Sequence, residues 1–310
     1  MSNRPASPSL FARAIDSDIF YSFRRSKLTM VAGFIVAVLL LLAVFAPLFV
    51  VQDPFDPRQL ELINSRISPL WTAEGQRPFL LGTDEQGRDV FSAILYGMRI
   101  SLTVGILGVG FAAVLGIGLG LIAGYVGGWV DSLIMRIADV QLTFPAILIA
   151  LLIDGVVKSA LGNHLDATTT LLVLVVAIGL SFWVQYARTV RGSVMVEKNR
   201  DYVAAAQLIG LPARVIMIRH ILPNTMGPIL VIATINLALA IITEATLSFL
   251  GSGMPDTMPS LGTLIRIGNN YLFSGEWWVV AFPGIALASL ILSINLLGDW
   301  LRDALNPKLQ

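Results

Sequence analysis

Six stretches of the chain, near residues 28–50, 100–124, 133–157, 169–187, 226–250 and 278–300, are each long and apolar enough to cross a bilayer as a helix. A helix rises only about 1.5 Å per residue, so spanning the hydrocarbon core takes roughly 20 apolar residues in a row. This pattern overrides the two soluble domains that a length of 310 residues would otherwise allow. The composition agrees. Only 13% of residues are charged and the mean hydropathy is +0.77, whereas soluble domains carry roughly 25% charge. Two of the runs are interrupted, the third by Asp139 and Pro145 and the fifth by Glu244. The first run is too long for a signal-peptide core and no A-x-A-like site follows it. The paired Arg24 and Arg25 before it read as a basic flank rather than a twin-arginine export signal.

Basic residues orient the spans. With the N-terminus in the cytoplasm, the cytoplasmic pieces hold 14 of the 21 Lys and Arg and the outer pieces hold 7. The positive-inside rule then places both termini, and residues 188–225, in the cytoplasm. The predicted organisation is a cytoplasmic segment 1–27, amphipathic around "LFARAIDSDIFYSF", then a first span 28–50. An outer lobe follows at 51–99. A five-span core at 100–301 carries the cytoplasmic loop 188–225, and a tail 302–310 ends the chain. Pro54, Pro57, Pro69 and Pro78 exclude a long helix from the lobe. With few apolar positions in period, it reads as an irregular segment on the membrane surface, within reach of a soluble partner.

In "GIGLGLIAGYVGG" the glycines Gly116, Gly120, Gly124 and Gly128 recur every four residues and share one helix face. A bare face lets a second backbone approach closely, which is how spans associate in lipid. A nucleotide-binding glycine loop would need a preceding strand and a following polar helix, and neither is present.

The cytoplasmic stretch "DYVAAAQLIGLPARVIMIRHILPN", 201–224, reads as two short helices around a tight corner. Asp201 suits the N-cap, Gly210 the left-handed position after the first helix, and Pro212 the first turn of the second. Val215, Ile218 and Leu222 would form the second helix's apolar stripe, and Pro223 would end it. A plain linker has no use for caps at both ends. A DNA-binding helix-turn-helix has no room for a duplex so close to the bilayer, so no nucleic-acid partner is expected. A docking element for a peripheral cytoplasmic subunit fits best.

At these residues the chain resembles the EAA loop of importer-type ATP-binding-cassette (ABC) permeases. That pattern is E-A-A, three residues, G, nine residues, I, one residue, L-P. Ala205, Ala206, Gly210, Leu222 and Pro223 match at the same spacing, while Ala204 stands in place of the Glu and His220 in place of the Ile. "LGTDEQGRDVFSAILYGMRISL" (81–102), "SFLGSGMPDTMPSLGTLI" (248–265) and "GDWLRDALNPKL" (298–309) resemble the dipeptide/oligopeptide branch. Departures are Ala93 where Arg is common, Leu261 for Trp and Asn306 for Asp. The likeness runs from about residue 25 to the end. It implies an all-α integral membrane protein with six transmembrane helices in the type I importer permease fold, in a bacterial inner membrane. The implied partners are a homologous permease subunit, two cytoplasmic ABC ATPases that bind ATP and Mg, and an external solute-binding protein. The implied docking residues are Asp201, Tyr202, Ala204, Ala205, Ala206, Gly210, His220, Leu222 and Pro223. Peptides are the expected cargo, with nickel complexes, opines and sugars as alternatives within the branch.

No catalytic constellation is visible. The chain has no G-x-x-x-x-G-K-[ST] phosphate cradle. It has no cysteine, and its two imidazoles, His164 and His220, lie outside any metal-ligand spacing. The reading is a non-enzymatic subunit with no cofactor or metal of its own, driven by a partner or by an ion gradient. The gradient alternative, a secondary carrier, rests on the carboxylates Asp139, Asp154, Glu244 and Asp299. Asp154 and Asp299 lie near span ends, within reach of water. Asp139 and Glu244 lie deeper, where a carboxylate costs about 2.5–3.5 kcal/mol on insertion scales. Pairing with a hydroxyl or an arginine in the bundle interior is the first expectation for these two, and lining the pathway the second. Asn236 is expected to bond between helices or to touch substrate.

Overall fold

The computed structural model describes residues 18–162 and 166–305. Its helices are α1 (Asp18–Arg25), α2 (Lys27–Val44), α3 (Val90–Val126), α4 (Gly128–Leu142), α5 (Ala146–Leu161), α6 (Ala167–Glu197), α7 (Asp201–Leu208), α8 (Met226–Phe249), α9 (Leu261–Tyr271) and α10 (Trp278–Ala304). After α7 the chain turns at Gly210, and short helical segments then lead from Ala213 into α8 without a break in winding, so that 213–249 is one continuous apolar rod. No strand occurs among the described residues; Thr83 and Asp89 form an isolated bridge. The part of the expected amphipathic piece that precedes residue 18 lies outside the described residues.

Five helical stretches are long and apolar enough to span a bilayer, and the third predicted span is a broken one, α4 and α5 meeting at 94°. Pro145 causes the break. It lacks an N–H and pushes the preceding residue out of the helical region, so α4 ends at Leu142 and α5 restarts after Pro145. The second span begins ten residues earlier than its apolar run, because the Asp89 carboxylate accepts from the Ser92 amide at 2.8 Å and caps α3 there. At 37 residues α3 is about 55 Å long, well beyond the roughly 30 Å hydrocarbon layer. Residues 90–99 are therefore helix, not lobe. Likewise α6 runs ten residues past its predicted end, held by Arg191, which donates two hydrogen bonds to Asp131 of α4 at 2.5 and 2.7 Å.

The pair α3 and α6 makes the most extensive contact in the molecule. A Cβ placed on Gly116 would stand 2.4 Å from the Trp183 carbonyl oxygen. On Gly120 it would meet the Ala187 oxygen at 2.6 Å, and on Gly124 the Val194 Cβ at 2.8 Å. These three glycines form a seam with no room for a side chain. Gly128 is not part of it. With Gly127 it takes positive φ (58° and 70°) and turns the chain from α3 into α4. Around the seam one apolar core joins α3, α6, α8 and the 201–225 segment, and a second joins α2, the outer part of α3, α9 and α10.

The lobe, 51–89, consists of turns and two short 3₁₀ segments, Pro57–Gln59 and Leu62–Asn64. It is fixed to the bundle by a charged knot rather than a core of its own. Arg88 is fully buried, pairs with Asp84 at 2.6 Å, and donates to the Asp256 carbonyl at 2.8 Å. Trp278 of α10 donates its indole N–H to the Thr83 carbonyl at 3.1 Å, and Arg66 pairs with Glu276 at 3.3 Å.

Two stability tests follow. Gly116→Val overpacks the seam and is expected to cost about 1–3 kcal/mol, read as a lowered unfolding temperature in detergent; Gly110→Val, where a Cβ meets nothing within 4 Å, should leave it unchanged. Asp84→Ala strands a buried guanidinium and should cost about 3–5 kcal/mol in the same assay.

Candidate functional site

The 201–225 hairpin sits at the end of the bundle opposite the lobe. Its first helix, α7, is anchored through Val203 and Ala206, both buried in the core that also holds Ile216 and Ile221 of the second arm, against which α7 packs. Gly210, at φ 78°, ends α7 in the left-handed region. The Gly210 amide donates to Gln207 O at 3.0 Å and the Leu211 amide to Ala206 O at 3.1 Å, the paired bonds of a Schellman motif. Few residues other than glycine hold that backbone conformation without strain.

Several details differ from the sequence expectation. Arg200, not Asp201, occupies the N-cap, without a side-chain cap bond. Asp201 is the first helical residue, where its charge still favours the positive end of the helix. Pro212 is the N-cap of the following turn instead of lying within it. The second arm winds as a π-helix over Ile216–Ile221. Five residues per hydrogen-bonded turn bring Ile216 and Ile221 onto the buried face, both nearly inaccessible, while Ile218 of the expected stripe points outward. Pro223 does not stop the chain. It sits in the first positions of a 3₁₀ turn, Leu222–Thr225, where a missing N–H costs nothing, and α8 continues from it.

Val203 and Ala206 are buried, so the residues of α7 and its C-cap left open are Asp201, Tyr202, Ala204, Ala205, Gln207, Leu208 and Ile209. Leu208 and Ile209 are 89% and 75% exposed. Sequence reasoning passed over them, although two large aliphatic residues directly before a left-handed glycine are a legible sign of an apolar tip. Tyr202 ties the two arms together. Its hydroxyl donates to Glu197 Oε2 at 2.7 Å and accepts from Asn224 Nδ2 at 3.1 Å, and Asn224 also donates to the His220 carbonyl at 2.8 Å. Partial burial and the Glu197 carboxylate both raise the phenol's pKa, which keeps this bond donated from Tyr202. His220 and Leu222 are half-buried and Pro223 is exposed on the second arm.

The intramembrane polar residues separate into three cases. Glu244 is fully buried on α8. Ser101 of α3 donates to its Oε2 and Ser248 to its Oε1, each at 2.7 Å. Ser248 also accepts from Ser260 at 3.1 Å and from the Met254 amide at 3.3 Å, so one carboxyl organises α3, α8 and the 250–260 turn. Asn236 is buried on α8 with its amide facing the Tyr186 hydroxyl of α6, and no other described residue engages either group. Asp139 is not in the interior. It lies half-exposed on α4 and pairs with Arg188 at 2.5 Å. Asp154, expected near water, is buried and pairs with Lys158 at 2.8 Å. In this conformation Asn236 and Glu244 lie inside the chain rather than along an open path.

Residues 116–310 match the family described as binding-protein-dependent transport system inner membrane component, and residues 17–69 match the N-terminal TM domain of oligopeptide transport permease C. The chain is 35% identical over 293 residues to the dipeptide transport system permease protein DppC of Haemophilus influenzae, covering 94% of this chain and 95% of the relative. It is 37% identical over 311 residues to the di/tripeptide transport system permease protein DppC of Pseudomonas aeruginosa, covering 100% and 98%. Among solved structures, an inward-facing conformation of the MetNI methionine ABC transporter matches with a TM-score of 0.53 at 19% identity, over 69% of this chain and 96% of that one. At that identity the likeness bears on the fold.

Replacing Glu244 by Leu removes the acceptor for two buried hydroxyls and is expected to cost about 1–3 kcal/mol per stranded group. Glu244→Gln, which keeps an acceptor and the side-chain shape, should cost markedly less. Unfolding in detergent and proteolysis within the 250–260 turn measure both.

Proposed function

The chain belongs to the family of binding-protein-dependent transport system inner membrane components, and on that premise we propose that it is a permease subunit of an ATP-driven importer of dipeptides or oligopeptides. The printed functions of its relatives support the cargo. The multi-pass helices support placement in the inner membrane, and the distribution of Lys and Arg supports cytoplasmic termini. The observation that carries the reading is the hairpin. Its inner face is part of the bundle core, and its outer face presents Tyr202, Ala204, Ala205, Leu208 and Ile209 to a partner.

In this reading two cytoplasmic ABC ATPases bind ATP and Mg, and each ATPase grips one such hairpin. This chain pairs with a homologous permease, and the translocation path runs between the two. A solute-binding protein delivers peptide at the lobe end. Closure of the ATPases displaces α7. Because Val203 and Ala206 are buried where α7 packs against the Ile216–Ile221 arm, and the Leu222–Thr225 turn that follows contacts α6, the displacement is passed through that arm to α6 and through the glycine seam to α3. The bundle then rocks as a body and exchanges access from one side to the other. Asp201, His220, Leu222 and Pro223 shape the two arms, and Gly210 sets the corner between them. An ion-gradient carrier has less support, since Glu244 is engaged by hydroxyls and Asp139 by Arg188.

Gly210→Val puts a β-branched residue at φ 78°, a strain of about 1–3 kcal/mol, with no neighbour within 4 Å to clash. In the reconstituted complex this variant should keep ATP hydrolysis and lose most peptide uptake. Uptake at the wild-type rate would overturn the docking role of the hairpin.

A further inference from the structure

Arg99 lies on α3 about two and a half turns in from the lobe end of that helix, at the level of Leu171 in the first turns of α6. It is exposed, and among the described residues no carboxylate lies within ion-pair distance of it. Three other arginines of the same half are ion-paired. Arg66 is paired with Glu276, Arg88 with Asp84 and Arg266 with Asp256. A free guanidinium on an apolar span is costly unless it meets water or an anion.

The surroundings of Arg99 are built. Its guanidinium lies over the Tyr96 ring, 5.5 Å from the centroid, and Phe55 of the lobe holds that ring edge-on at 5.2 Å. Together with Ile100, Thr103, Leu171 and Met258 these residues line an open cavity of about 290 Å³, near the lower end of the range for small-ligand sites. The Thr103 hydroxyl donates to the Arg99 carbonyl at 2.7 Å, so its proton is already engaged. The nearby Asp53 carboxylate accepts from the Phe55 amide at 2.9 Å and does not pair with Arg99. The donors left facing the cavity are the guanidinium and the Tyr96 hydroxyl, which no described residue engages. A planar fork of N–H groups beside a phenol matches a carboxylate, and Ile100, Leu171 and Met258 offer an apolar wall for the group next to it.

We propose that this cavity receives the free C-terminal carboxylate of a peptide at the outer mouth of the bundle, with Arg99 as the residue that selects for it. The inference rests on the peptide-permease reading above. The test uses the complete transporter in liposomes, with Arg99→Gln and Arg99→Lys, and compares a dipeptide with its C-terminal amide. Arg99→Gln should raise the half-saturating dipeptide concentration at least about tenfold, the size expected when a hydrogen bond to a charged group is removed. The unfolding temperature should not move. Arg99→Lys should recover most of the loss, and uptake of the amide should not distinguish wild type from Arg99→Gln. Wild-type uptake by Arg99→Gln overturns the inference. So does an equal loss for acid and amide, or a loss that follows the anionic-lipid content of the liposomes, which would assign the cavity to a lipid headgroup. A wild-type complex that moves no peptide would overturn the permease reading itself, whereas peptide uptake indifferent to Arg99 overturns this inference alone.

Discussion

The backbone-to-backbone approach of α3 and α6 is the contact on which the other features depend. Lipid gives apolar helices no hydrophobic reason to associate, so close packing and internal hydrogen bonds must hold them. Gly116, Gly120 and Gly124 permit an approach that one methyl group would prevent. Along this seam α6 carries Val190 and Val194 toward the hairpin, and α3 carries Ser101 and Arg99 toward the opposite end. A helix of 37 residues beside one of 31 thus forms a continuous spine, on which both ends of the molecule are mounted.

The two ends are held by different chemistry. At the lobe, turns with almost no core of their own are fixed by Asp84, Arg88 and the carbonyl of Asp256. Arg88 and Asp84 are both buried, so the pair resists the loss of either member more than it adds net stability. Within the span, Glu244 is met by hydroxyls instead of a cation. Hydroxyls can rotate and change partners, whereas an ion pair in lipid would hold α3 and α8 in one register. A clamp of this kind joins the 250–260 turn to α3 and α8 without a fixed ion pair.

Much of this was legible in the sequence, and the rest was hidden for identifiable reasons. Apolar run length marked the spans, and the four-residue glycine spacing marked the helix face that α6 covers. Run length could not locate helix ends where polar residues continue the helix. Asp89 extends α3 outward and Arg191 extends α6 inward, each through a side-chain bond to a partner that pattern does not reveal. Pro145 announced an interruption but not a 94° turn. The π-helical winding of Ile216–Ile221 moved the buried stripe off a 3.6-residue period, and it exposed Ile218. Asp139 looked like an interior carboxylate because it sits in an apolar run. That run is broken at Pro145, and the side chain reaches Arg188 at the surface.

The hairpin shows why the pattern of alanines alone understates what this segment does. Ala204, Ala205 and Ala206 look equivalent in sequence, yet Ala206 packs inward and the other two face out. Small side chains on both faces let α7 lie close to its own core and to whatever meets it from outside. Leu208 and Ile209 extend the open face just before the corner at Gly210. Apolar residues at an exposed tip favour a covered state, since they lose roughly 25 cal/mol for each Å² left in water. Force applied at that tip meets a corner closed by two backbone hydrogen bonds and a Tyr202–Asn224 tie between the arms. These ties hold the two arms of the hairpin in one arrangement.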